Sequence, residues 1–89
     1  MSALNQLPLV LEAILLTADK PLSLDRLEKY FAPEEGVSRA VIREGLGQLK
    51  LKCEGRSFDL TETGAGYRLQ TRNDFQQWVA RHYEEKPPK

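Results

Sequence analysis

Hydrophobic periodicity changes twice along this chain, and the changes divide it into three stretches. As far as Cys53, apolar residues recur at the spacing of a helix. After Gly55 they alternate, with Phe58 and Leu60 facing one way and Asp59 and Thr61 the other, and Tyr67, Leu69 and Thr71 alternate in the same manner with Arg68, Gln70 and Arg72. From Asn73 the helical spacing returns. A chain patterned in this way must place helices first, a hairpin next and a helix last.

Helix signals locate the elements more closely. Leu7 to Ala18 reads as a first helix with Pro8 in its first turn and Leu7, Val10, Leu11, Ile14 and Ala18 facing a core. Pro21 ends it, because proline disfavours helix at the residue before it. Ser23 caps a short second helix, Leu24 to Phe31, with Leu22 and Leu27 as a hydrophobic staple. After the turn Ala32 to Gly36, Ser38 caps a third helix from Arg39 to about Cys53, stapled by Val37 and Ile42, whose buried stripe is Ile42, Leu46, Leu49 and Cys53. Thr63-Gly64-Ala65-Gly66 joins the two strands as a hairpin loop. Asn73 caps a last helix, with Gln76 reaching back to it; Phe75, Trp78, Val79 and His82 form its apolar face, and Trp78 reads as domain core. The expected fold is α+β and mainly helical: a winged helix-turn-helix of three helices, a two-stranded wing and a closing helix. An 89-residue chain holds one such domain, expected over residues 1–83, while residues 84–89 have linker composition.

Several function classes are disfavoured. The chain has 13 basic and 13 acidic residues, so it lacks the general positive field of a non-specific nucleic-acid binder; only residues 38–72 are mildly basic. Cys53 and His82 are the sole residues of their kinds, which precludes an internal disulfide and leaves no structural zinc set; no metal or cofactor is expected, and a reducing cytosol fits. His82 lies on an apolar helix face with no nucleophile placed beside it, so no catalytic residue is assigned and no enzyme is expected. Gly64 and Gly66 precede a strand rather than a helix N-terminus, so they read as hairpin glycines, not a phosphate loop. The apolar stretch Leu7 to Ala18 is too short, and too interrupted by Glu12, for a membrane span or signal peptide.

LEAILLTADKPLSLDRL (Leu11 to Leu27) and EGRSFDLTETGAGYRLQTRNDF (Glu54 to Phe75), above all Gly66-Tyr67-Arg68-Leu69-Gln70-Thr71, resemble the N-terminal domain of the segregation and condensation protein B family. The resemblance implies a non-catalytic accessory subunit of the bacterial SMC–kleisin complex, cytoplasmic and nucleoid-associated. It further implies a homodimer formed largely by these N-terminal domains, which binds the kleisin (segregation and condensation protein A) and through it SMC. Members of the family carry two winged-helix domains, so residues 84–89 resemble the start of a link to the second. Gly45 and Gly47 depart from the pattern, standing where the family has helix formers, at roughly 1 kcal/mol each relative to alanine.

The alternative class is a DNA-binding winged-helix transcriptional regulator. With its stripe facing the core, the third helix turns Ala40, Glu44, Gly47 and Leu51 outward, a poor set for reading bases, and the wing tip has no cation. Arg39, Arg43 and Lys50 share one flank and could make weak phosphate contacts, although a solvated flank is the preferred account of them; no sequence-specific DNA binding is expected. The first helix favours a protein partner. Nine of the twelve residues from Leu7 to Ala18 are apolar, more than one core-facing stripe requires, and Leu9, Ala13 and Leu16 project from another flank beside Glu12. These three are expected in a dimer interface. The competing possibility is that the closing helix, with Trp78 and Tyr83, folds back over them.

Overall fold

The computed structural model describes residues 3–84. A 3-10 turn, Leu4–Gln6, leads into α1 (Leu7–Thr17); α2 (Leu24–Glu28) and α3 (Arg39–Lys52) follow, then the antiparallel hairpin β1 (Phe58–Thr63) and β2 (Gly66–Thr71), and finally α4 (Gln76–Glu84) after a second 3-10 turn, Asn73–Phe75. This is the winged helix-turn-helix, mostly helical with one wing. Among the described residues no helix is long and apolar enough to cross a membrane.

Two of the expected caps form. Ser23 Oγ accepts from the Arg26 N–H at 3.1 Å and Ser38 Oγ from the Val41 N–H at 3.2 Å. The third differs: Asn73 makes no cap, because the chain leaves β2 extended through Arg72 and then tightens into a 3-10 turn. Gln76 does reach back, but its amide donates to Thr71 Oγ1 at 2.8 Å.

The core lies between α1, α2, α3 and the wing. Ile42, Leu46, Leu49 and Cys53 are buried as their spacing requires, together with Leu27 and Leu60. On α1 the buried line is Leu7, Leu11 and Leu15. Ile14 and Ala18 pack only at its edge and Val10 is half-buried, so the core face is rotated toward Leu15 from the face that spacing suggests. The rotation follows from α3. A Cβ on Gly45 would stand 2.9 Å from Leu11 Cδ1 and 3.1 Å from Leu7 Cγ, so the glycine admits these two leucines against the α3 backbone. Gly45 is therefore a packing requirement. Gly47 faces open space, and nothing within the protomer explains it.

The wing is longer and its turn shorter than expected: the strands run to Thr63 and from Gly66, leaving Gly64-Ala65 as the turn. A third, single-residue strand joins it. Leu22 and Tyr67 exchange backbone hydrogen bonds of 2.9 and 2.8 Å, tying the segment between α1 and α2 to β2. Gly66 makes this possible by close approach, with φ +133° and no room for a side chain against the Leu22 backbone.

Candidate functional site

Projected down α1 at about 100° per residue, Leu9, Ala13 and Leu16 lie opposite the buried Leu7, Leu11 and Leu15. All three are exposed, Leu9 at 53% and Leu16 at 61%. Glu12 is the one charged residue in the helix, so this outer face is an apolar stripe with a single carboxylate beside it.

The closing helix does not cover the stripe. α4 contributes no buried residue, and Trp78, expected in the core, is 53% exposed. The cause lies at the end of β2. The Arg72 guanidinium donates to the Arg56 carbonyl at 2.9 Å and the Cys53 carbonyl at 2.8 Å, pinning the exit of the wing to the end of α3 so that α4 departs from the body of the domain. Phe75 and Trp78 keep company with each other, ring centroids 6.5 Å apart, rather than with the core.

The three candidate phosphate ligands are divided. Arg39 pairs with Asp25 and Glu28 of α2, and Lys50 donates to the Leu60 carbonyl at 3.1 Å and lies 3.4 Å from the Asp59 carboxylate. Arg43 makes no ion pair among the described residues. Arg43 and Lys50 do share a groove of about 340 Å³ between α3 and the wing, floored by Leu46, Leu60 and Tyr67, but Glu62 also lines it. Burial, then the Glu62 carboxylate, holds the Tyr67 phenol above its ordinary value. Around α3, Ala40, Glu44, Gly47 and Leu51 are exposed, as its stripe requires. This surface is mixed in charge, with two of its three cations already engaged within the protomer.

The chain's one thiol and one imidazole lie on different elements. Cys53 is buried, and burial first, with the Asp59 carboxylate second, raises its thiol pKa, the reverse of what an active nucleophile needs. His82 lies on the exposed α4 beside the Tyr83 ring, and the described residues contain no group of three His, Cys, Asp or Glu able to hold a metal.

Arg72 and Asp59 are the polar residues that the sequence reading overlooked. Partial burial opposes ionisation of Asp59, but the Leu60 N–H at 2.9 Å, Lys50 and Arg72 outweigh it and hold its pKa below the usual 3.8. A depressed folded-state pKa contributes stability that is present above the unfolded value and lost as pH falls through the folded one. Asp59→Asn should therefore unfold at lower temperature than the unmodified chain near neutral pH. The difference should narrow as pH is lowered through and below 3.8, in paired melts across pH; a difference independent of pH would exclude this role.

The sequence model of the family described as segregation and condensation complex subunit ScpB matches residues 9–89. The chain belongs to the segregation and condensation protein B family. A segregation and condensation protein B homolog of Coxiella burnetii (strain RSA 493 / Nine Mile phase I) is 38% identical over 87 residues, covering 98% of this chain and 41% of that protein. The chain thus spans less than half the length of this ScpB relative. Among solved structures, ScpB from Mycobacterium tuberculosis superposes with a TM-score of 0.78 at 27% identity over 97% of this chain and 54% of that one. A dimer of an ScpB N-terminal domain complexed with an ScpA peptide superposes with a TM-score of 0.73 at 25% identity, over 99% of this chain and 100% of that one. The ScpB fold is therefore present over nearly the whole chain.

Proposed function

We propose that this chain is the dimerising part of a non-catalytic ScpB subunit, which joins two copies through the outer face of α1 and so presents a paired surface to the kleisin, and through it to SMC, in chromosome condensation and segregation. The observation that carries the reading is the uncovered stripe of Leu9, Ala13 and Leu16. Apolar side chains aligned on one exposed helix face favour association with another protein. Similarity to an ScpB N-terminal domain dimer that holds an ScpA peptide supports both partners. Two linked copies would bind with the advantage of effective concentration rather than by any bond-making step. In this reading residues 1–83 form the dimerisation unit and residues 84–89 begin the link to a second winged-helix domain; Glu84 closes α4, and residues 85–89 lie outside those described.

The test is Leu9→Glu with Leu16→Glu, followed by sedimentation across concentration. Both side chains are exposed in the protomer, so the variant should stay folded. Two carboxylates buried against an apolar surface should weaken dimerisation by at least about 100-fold. An unchanged dimer in the variant, or an unmodified chain that is monomeric at every concentration, would reject the assignment.

A further inference from the structure

The nine residues of α4 form a helix that is marginal on its own, because isolated helices shorter than about 12–15 residues are seldom stable in water. The apolar line made by Phe75 of the preceding turn with Trp78 and Val79 of α4 lies outside the buried core, Phe75 and Trp78 exposed and Val79 half-buried, and the helix packs mainly on the turn that leads into it. Each protomer thus carries one apolar arm and, on α1, one uncovered apolar stripe.

We propose that α4 is an exchanged arm: in the dimer, Phe75, Trp78 and Val79 of each protomer lie against the Leu9, Ala13 and Leu16 stripe of the other, with Arg81 facing the partner's Glu12. The proposal rests on the α1 reading above and adds what covers that stripe. Area favours it. A stable interface takes about 800 Å² from each partner, far more than two leucines and an alanine supply; each protomer gives both a stripe and an arm, and the still exposed parts of Phe75 and Trp78, 40% and 53% of their surfaces, enlarge the area on both sides of the axis. Symmetry favours it too, since a twofold axis turns one arm-on-stripe contact into two and leaves neither apolar surface uncovered. Charge sets the direction. At helical spacing Glu12 flanks the α1 stripe and Arg81 flanks the α4 line, and Arg81 makes no ion pair among the described residues.

The decisive experiment measures dimerisation of the 89-residue chain by sedimentation, with circular dichroism to verify folding. Trp78→Glu with Val79→Glu should give a folded monomer, because Trp78 is exposed, Val79 is only half-buried and α4 contributes no residue to the buried core. Glu12→Arg alone and Arg81→Glu alone should each weaken the dimer about tenfold by opposing like charges in both contacts. Mixing those two single variants should restore it, since each contact in the mixed dimer then pairs opposite charges. If the Trp78/Val79 variant keeps the unmodified dimer while Leu9→Glu with Leu16→Glu is monomeric, the arm is refuted and the α1 interface stands. If both double variants remain dimeric, both ideas fail. Absence of rescue on mixing refutes exchange between protomers.

Discussion

Gly66→Ala is expected to lose about 3 kcal/mol or more of folding stability, a large part of what a small domain possesses. Any Cβ at this position would lie 2.4 Å from both the carbonyl carbon and oxygen of Leu22 and 2.6 Å from the Ser23 nitrogen. All three atoms are backbone and cannot rotate aside, and the φ of +133° is itself unfavourable for a side chain. Relief requires separating Leu22 from Tyr67, which breaks both hydrogen bonds between them, exposes the buried Leu22 and disturbs the Ser23 cap of α2. Urea unfolding should show the midpoint falling by about 2 M or more, or no folded protein at all. Gly64→Ala is the control: it has open space and should change stability by no more than about 0.5 kcal/mol. Equal stability of the two variants would show that the close approach is not rigid.

The second large effect concerns α1 against α3. Leu11 is fully buried, and Leu11→Ala should destabilise the chain by about 3–4 kcal/mol through lost burial and the cavity left behind. Its interest lies in combination with Gly45. Alone, Gly45→Ala drives a methyl to within 2.9 Å of Leu11 Cδ1 in a packed core, and the crowding should exceed the roughly 1 kcal/mol gained in helix propensity. With Leu11 already alanine, the closest obstruction is gone and the Leu7 side chain, 3.1 Å from the new methyl, has the vacated space to shift into, so the same Gly45→Ala change should recover up to about 1 kcal/mol. Unfolding free energies for the four chains test this reversal of sign. The same loss from Gly45→Ala in both backgrounds would mean that Leu11 is not what excludes a side chain there.

Signals between near neighbours were legible from residue order. The stripe Ile42, Leu46, Leu49 and Cys53, the Ser23 and Ser38 caps and the alternation of the wing each depend on residues a few positions apart, so spacing alone locates them. The outward direction of Leu9, Ala13 and Leu16 follows in the same way from helical geometry. Family membership was also legible, because the run Gly66 to Thr71 records a specific wing rather than a general pattern.

Contacts between distant parts of the chain decided the remainder. Gly45 looked like a weakness in α3 until Leu7 and Leu11 were seen to occupy its missing side chain, and Gly66 looked like a hairpin glycine until Leu22 was found against it. Trp78 had the helical spacing of a core residue, yet Arg72, bound to carbonyls at the end of α3, sends α4 away from the core. Periodicity states which residues share a face of a helix. It does not state what that face meets, because this depends on the path of the backbone between elements, which a few long-range hydrogen bonds and close approaches settle here.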